Sequence, residues 1–122
     1  LNLRTTNDVT RRNTGTLSAA SGSTLSITQS EIDNASGDIR TQTGGTVSIT
    51  GGSTRILGGT LTGGGDVNLG GSATLVNVQN DADITIANGQ TGQIEGTITN
   101  TGTIALESAG GTTSLSIQGD TT

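Results

Sequence analysis

A short phrase of aliphatic residues alternating with small polar residues returns along the chain about every 20 residues. Its five copies start at residues 23, 45, 65, 82 and 102, so the steps between them are 22, 20, 17 and 20 residues. Within each phrase the aliphatic side chains lie two positions apart, which is the spacing of a β-strand with one buried face. A period of this size is typical of stacked repeats in which each repeat packs on its neighbours. We therefore expect the chain to wind into a solenoid with one turn per repeat.

A narrow solenoid also fits the composition better than a compact domain does. The 122 residues include 21 glycines but no phenylalanine, tryptophan, tyrosine, methionine, cysteine or proline. Leucine, isoleucine and valine together supply 26 residues, a share near the level at which chains remain disordered. Disorder is opposed by the regular spacing of these residues and by a charged fraction of only 12%. We predict an all-β chain, a right-handed parallel β-helix (β-solenoid) of about five to six turns with three strand faces per turn, since parallel connections strongly prefer the right hand.

Three inward strand positions are expected in each turn. The first face holds the core pairs of the repeated phrase: Leu25 and Ile27, Val47 and Ile49, Val67 and Leu69, Ile84 and Ile86, and Ile104 and Leu106. One inward residue per turn follows on the second face (Ile32, Ile56, Val76, Ile94 and Leu115) and another on the third (Leu17, Ile39, Leu61, Val78 and Ile98). In the short repeat the second and third positions fall on a single expected strand, residues 74–78.

Glycine and asparagine mark the corners between the faces. Glycine can take the positive φ of a sharp bend, and pairs of glycines lie at 44–45, 51–52, 58–59, 70–71 and 110–111. We expect Asn34, Asn88 and Asn100 to take this left-handed conformation too, and the amides of Asn80 and Asn100 to stack in a short ladder. Residues 1–16 depart from the repeat and are interpreted as a capping edge or the end of a preceding turn. Residues 17–122 are interpreted as the solenoid itself, and this solenoid is interpreted as a segment of a longer fibre.

Histidine, cysteine and lysine, which many active sites use, are absent from the sequence. Without histidine or cysteine there is no Ser-His or Cys-His pair for nucleophilic catalysis, and the bases inside the expected stack are Arg40 and Arg55, which stay protonated. No catalytic residue, cofactor-binding residue or resident cofactor is predicted, and we do not expect an enzyme. The net charge is −5, with six acids and no base in residues 62–122, which disfavours nucleic acid as a partner. No apolar run approaches 18 residues, so membrane insertion is not expected.

Three carboxylates are the weak candidates for a metal site. Asp81 and Asp83 are expected on the same side of one strand, and Asp66 is equivalent to Asp83 one turn earlier, in a column interrupted by Thr46 and Thr103. Ca²⁺ takes six to eight oxygen ligands, whereas this pattern offers about one aspartate per turn. We therefore favour solvated, outward-facing carboxylates over a bound Ca²⁺ ion.

Threonine pairs suggest one further possibility. Thr41 and Thr43, Thr60 and Thr62, and the row Thr97, Thr99, Thr101 and Thr103 are expected to face outward in ranks. A flat array of this kind can order water against ice, but it breaks at Gln79-Asn80-Asp81. Threonine is also a good strand former on an exposed face, and this simpler interpretation is preferred.

Two phrases resemble a known class of repeats. Glu95-Gly96-Thr97-Ile98-Thr99-Asn100-Thr101-Gly102-Thr103-Ile104 and Gly58-Gly59-Thr60-Leu61-Thr62-Gly63-Gly64-Gly65 are similar to repeats of large secreted bacterial surface proteins, the filamentous-haemagglutinin and autotransporter-passenger class of adhesins. The resemblance covers most of residues 15–119. It implies a right-handed β-helical stalk, export to the cell surface or the medium, and a role in adhesion or extracellular structure.

The predicted function is a non-catalytic stalk or filament subunit of a bacterial surface protein, structural or adhesive. Its expected partners are further copies of itself or a ligand on a cell surface or in the extracellular matrix, and its expected location is secreted or at the cell surface. An alternative is a phage-type fibre that binds a receptor or a polysaccharide, which would usually be a trimer. An ice-binding solenoid is a third, less favoured alternative.

Overall fold

The chain forms a stack of short β-strands with sharp corners between them. The computed structural model describes residues 2–3 and 11–119, and of the first pair only the backbone is described here. In chain order the strands are β1 Asn2–Leu3, β2 Arg11–Arg12, β3 Thr16–Ala19, β4 Thr24–Thr28, β5 Glu31–Asp33, β6 Asp38–Thr41, β7 Thr46–Thr50, β8 Arg55–Leu57, β9 Thr60–Gly63, β10 Asp66–Gly70, β11 Ala73–Val76, β12 Gln79–Asn80, β13 Asp83–Ile86, β14 Thr91–Glu95, β15 Thr99–Asn100, β16 Thr103–Leu106 and β17 Ser114–Gln118.

Every third strand along the chain joins the same sheet. Sheet A has the order β1-β4-β7-β10-β13-β16, sheet B the order β2-β5-β8-β11-β14-β17, and sheet C the order β3-β6-β9-β12-β15. All pairings between neighbouring strands in these sheets are parallel. Three strands therefore make one turn, and the chain is a β-solenoid of about five turns with three faces. The predicted parallel β-solenoid is confirmed.

Sheet A follows the register expected from the repeated phrase. Val67 lies opposite Val47 on one side and Ile84 on the other, and all three side chains are buried. The same is true of the other predicted core residues of the first four phrases, namely Leu25, Ile27, Ile49, Leu69 and Ile86. Because aliphatic side chains lie over one another from turn to turn, one continuous apolar core runs along the axis.

The last predicted core pair is less buried than the others. Ile104 is half-buried and Leu106 is 46% exposed. Both lie on β16, the outermost strand of sheet A among the described residues, so a neighbouring strand covers them on one side only. The prediction of a buried Leu106 is therefore wrong for the part of the chain that the structure describes.

The second face is shifted by one residue in the short turn. Ile56 lies opposite Leu75, and Leu75 lies opposite Ile94, so the inward residue of β11 is Leu75 and not Val76 as predicted. In the next turn the predicted Leu115 lies opposite Gly92 and Ile117 lies opposite Ile94. Leu115 is half-buried and packs against the core as predicted, whereas Ile117 is 64% exposed. Sequence spacing alone misplaced the register of Val76, which is nonetheless buried, because spacing does not give the corner lengths that set the register of each strand.

The short turn also gains a corner that the sequence does not mark with glycine. Asn77 has a φ of 52°, which ends β11 and turns the chain into β12, so the predicted single strand over residues 74–78 is wrong. As a result Asn80, and not Val78, continues the row of Leu61 on sheet C. Val78 is buried and Ile98 half-buried just before their strands.

The amide ladder is confirmed at this corner. Asn80 lies opposite Asn100, and its Nδ2 donates a hydrogen bond of 2.7 Å to the Asn100 Oδ1. The fully buried Asn80 amide also donates to the carbonyl of Ala82 at 2.9 Å and accepts from the Ala82 N–H at 3.2 Å. A buried polar side chain is thus satisfied by its own corner and by the next turn.

Other corners use glycine as expected. Gly63 has a φ of 111°, and a Cβ built there would overlap the carbonyl oxygen of Thr41, so only glycine fits at this bend. The expected left-handed conformation of Asn34, Asn88 and Asn100 is wrong: among the described residues, the non-glycine positions with positive φ are Gln29, Ser72 and Asn77. Asn88 instead stabilises a corner by accepting the N–H groups of Ala109 and Gly111 at 2.8 and 2.9 Å.

Most of the segment 1–16, interpreted from the sequence as a capping edge or the end of a preceding turn, lies outside the described residues. Within it, Arg11 and Arg12 pair with Ile32 and Asp33 in sheet B. This short strand therefore belongs to the same stack as the turns that follow.

Candidate functional surfaces

The core takes up the aliphatic residues, so the chemistry of the chain lies on the outward sides of the three sheets. On each sheet the outward residues of successive strands form columns parallel to the axis, about 4.8 Å apart. In the described part of the chain every buried side-chain nitrogen and oxygen has a hydrogen-bond partner. The columns are therefore the surfaces available to a partner.

The predicted aspartate column lies on sheet A. Asp66 lies opposite Thr46 and Asp83, and Asp83 lies opposite Thr103, as the sequence indicated. Both carboxylates are exposed. Asp66 and Asp83 are thus outward-facing neighbours on adjacent turns.

Asp81 does not share a strand with Asp83, which corrects the expected arrangement. It follows β12 on sheet C, whereas Asp83 begins β13 on sheet A, and the buried Ala82 lies at the corner between them. The Asp81 carboxylate accepts hydrogen bonds from the Gln79 amide, at 3.0 Å in the shorter contact, and from the Thr101 hydroxyl. Within residues 11–119 no group of three or more His, Cys, Asp or Glu side chains comes together. The three candidate metal ligands therefore lie on two different sheets, Asp66 and Asp83 on sheet A and Asp81 at the end of a strand of sheet C.

Sheet B carries an ion-pair network that the sequence did not predict. The Arg55 Nη2 lies 3.1 Å from the Glu95 Oε2, and its Nε lies 3.6 Å from the Glu31 Oε2. Arg55 is on β8, so its side chain reaches Glu31 on the neighbouring β5 and Glu95 on β14, beyond β11. A second pair joins Arg12 and Asp33 at 3.1 Å. Side chains as well as backbone ladders thus link the turns, and the contact of Arg55 with Glu95 joins two turns that are not adjacent.

The outward side of sheet C carries two columns of polar side chains. One column contains Thr16, Asp38, Thr60, Gln79 and Thr99. A second contains Ser18, Arg40, Thr62, Asp81 and Thr101, in which the last two are placed by the backbone bonds from Asp81 to Leu61 and from Thr101 to Asn80. The hydroxyls of Thr60 and Thr62 both donate to the Asp38 carboxylate at 2.9 Å.

The threonine array expected for ice binding is not formed as predicted. Thr41 is buried, and its Oγ1 accepts the Gly65 N–H at 3.0 Å, so its hydroxyl serves a corner and not the surface. Thr60 and Thr62 are half-buried and point their hydroxyls at Asp38. The exposed row Thr97, Thr99, Thr101 and Thr103 lies in the last turn and continues round a corner onto a second sheet.

Two shallow grooves lie beside the corners. One, of about 400 Å³, is lined by Asp33, Ala35, Leu57, Gly58, Gly59, Val76 and Asn77. The other, of about 420 Å³, is lined by Thr50, Asn68, Leu69, Gly70, Thr85, Ala87, Gln90 and Glu107. Neither groove is lined by Arg40 or Asp81 of sheet C, or by Arg55 and its two glutamate partners on sheet B.

Comparison of the chain with models of known protein families, with curated proteins and with solved structures finds no match. A separate search of the described residues finds no helix with the length and apolar character needed to cross a membrane.

Proposed function

We propose that this chain is a non-catalytic structural segment, a stalk or filament subunit of a bacterial surface protein that works outside the cell in adhesion or scaffolding. The solenoid would be right-handed, which is the strong preference of parallel crossover connections. Its partners would be further copies of the chain, or a ligand on another cell or in the extracellular matrix.

The observation that carries this proposal is the uninterrupted stacking along one axis. Three parallel ladders and one apolar core run through every described turn, so the molecule resists bending and local opening along its length. Each fully buried aliphatic side chain contributes roughly 1.5–3 kcal/mol before entropy is counted. The outward columns are threonine, serine, asparagine and a few charged side chains, which keep such a rod in solution.

The similarity of residues 58–65 and 95–104 to repeats of secreted adhesins supports the extracellular location.

The location and the shape can be tested together in the cells that produce the protein. Antibodies raised against the folded chain should label intact, unpermeabilised cells, and electron micrographs of the purified full-length protein should show rods or fibres. Labelling that appears only after permeabilisation would exclude the surface role. Globular particles in the micrographs would exclude the stalk.

A further inference from the structure

One column of sheet C holds a cation and an anion that have no oppositely charged partner among the described residues. Arg40 is exposed and makes no ion pair or side-chain hydrogen bond with any described residue. Asp81 is exposed, and its described partners are the uncharged groups of Gln79 and Thr101. The two lie on either side of Thr62, one turn before it and one turn after it. Their strands are about 9–10 Å apart, and in the structure they do not meet.

The order of residues in this column is complementary to its own reverse. Read along the axis, the column is Ser18, Arg40, Thr62, Asp81 and Thr101. Laid against a second copy running the other way, Arg40 of each copy faces Asp81 of the other, and Thr62 faces Thr62. Small hydroxyl residues face each other at both ends of the column.

The neighbouring column obeys the same symmetry. Its order is Thr16, Asp38, Thr60, Gln79 and Thr99, so reversal places Asp38 opposite Gln79 and Thr60 opposite itself. A glutamine amide can donate to a carboxylate. No like charges face each other in either column, and a single two-fold axis parallel to β9, passing over both Thr60 and Thr62, relates both.

We propose that the outward side of sheet C binds a second copy of the chain, with the two solenoids side by side and antiparallel. The contact is isologous, the commonest kind in homo-oligomers, in which one patch meets itself across a two-fold axis. The inference rests on the proposed function, in which copies associate, and specifies the surface that they use. Complementary charge fixes the register, because sliding by one turn would place Arg40 against Thr62 or Thr101.

The size of the patch sets the strength of the contact. Five strands at about 4.8 Å spacing give a face on the order of 20 Å by 10 Å, well below a standard interface. We therefore expect a weak dimer, with a dissociation constant on the order of 0.1–1 mM near physiological ionic strength. In a filament, many such patches along one rod would act together and strengthen the association.

Charge reversal gives a test that separates this contact from any effect on folding. Arg40→Asp places two pairs of like charges in the contact, and so does Asp81→Arg. Each variant alone should dimerise at least about tenfold more weakly than the native chain in sedimentation equilibrium at ~1 mM protein and low salt. An equimolar mixture of the two should form a heterodimer, because the copy with aspartate at both positions then faces the copy with arginine at both positions.

Matched variants with the same change in charge are available on the other sheets. Arg11→Asp on sheet B and Asp83→Arg on sheet A should leave dimerisation unchanged apart from a small net-charge effect. Circular dichroism should show the native sheet signal for all four variants, because each site is exposed. If a reversal variant does not fold, Arg40→Gln and Asp81→Asn provide neutral replacements that should each weaken the dimer severalfold.

The proposal would be overturned by a native chain that stays monomeric at ~1 mM in low salt, by single variants that associate as the native chain does, or by a mixture that does not recover association. Larger oligomers insensitive to these reversals would place the contact on another surface and overturn it too. A monomeric chain would leave the stalk function intact, because surface labelling and rod shape do not depend on sheet C pairing.

Discussion

Replacing Val67 with aspartate is the sharpest test of the stacked core. Val67 is fully buried on the central β10, between Val47 and Ile84 in the adjacent turns. The change removes the burial of a valine side chain, worth about 1.5–3 kcal/mol. The new carboxylate must either stay charged in the core, at several kcal/mol, or take up a proton and remain without a partner, at about 1–3 kcal/mol.

For a protonated carboxyl these effects together predict a loss of about 2.5–6 kcal/mol in the free energy of unfolding. A chain of this length has a total of roughly 6–18 kcal/mol if it follows the usual range per residue. With a urea dependence of about 2 kcal/mol per molar, the midpoint of unfolding should fall by about 1–3 M. The measurement is a urea titration followed by far-ultraviolet circular dichroism.

The control is Asn68→Asp, which introduces the same charge one residue further on. Asn68 is exposed on the outward side of the same strand, so its replacement should change the free energy of unfolding little, by about 0.5 kcal/mol at most. Equal midpoints for the native chain and Val67→Asp, or equal losses for the two variants, would show that inward and outward positions on β10 are not what the structure indicates.

The corners, the surface and the stack each provide a further test. Asn80→Ala should lower the free energy of unfolding by about 1–3 kcal/mol, since it leaves the buried N–H of Ala82 without its partner. Arg55→Ala should cost at most about 1 kcal/mol, and less in ~0.5 M NaCl, because its ion pairs are partly exposed and screened. Gly63→Ala should cost more than Gly22→Ala, since both positions have positive φ but only the Cβ at Gly63 would meet backbone atoms. Deleting residues 66–82, one whole turn, should leave a folded chain that has lost about 1–3 kcal/mol. Thermal and urea melts measure all four.

Each of these has a result that would contradict it. An Asn80→Ala variant as stable as the native chain would show that the corner does not depend on this amide. A loss for Arg55→Ala that does not shrink in high salt would show that packing, and not charge, accounts for the network. Equal losses at the two glycines would mean that backbone conformation alone sets the cost of substitution. For the deletion, the comparison is removal of residues 66–74, about half a turn, which breaks the register of every later strand and should prevent folding. Equal behaviour of the two deletions would contradict independent stacking of turns.

The sequence predicted the fold wherever alternation and glycine continue through a turn. On sheet A the pairs containing Val47, Val67 and Ile84 fall into register because period-two alternation leaves one consistent choice of inward side. The prediction failed in the short turn, where Asn77 takes a left-handed conformation without glycine. Its Oδ1 accepts the Thr97 N–H at 2.9 Å, so the stabilising partner lies one turn later and is invisible to a local pattern.

The surface contacts were harder to predict for a related reason. Arg55 and Glu95 are 40 residues apart, and they meet only because the intervening turns have particular lengths. An error of one residue in a corner, as occurred at Val76, moves an outward side chain to the inside. Side-chain pairing between turns can therefore be read only after the register is known.

Once the register is known, the order of charges in the sequence becomes their order along the rod. All five arginines lie in residues 1–61, with four acids, while residues 62–122 hold six acids and no base. In a compact fold such an imbalance would be scattered over the surface, but in a solenoid it becomes a gradient of charge along the axis. Two copies lying antiparallel oppose these gradients, which lowers the repulsion that two parallel copies would suffer between their acidic ends. The gradient of the whole chain and the pattern of Arg40 and Asp81 on sheet C thus favour the same antiparallel arrangement, and they do so through different residues.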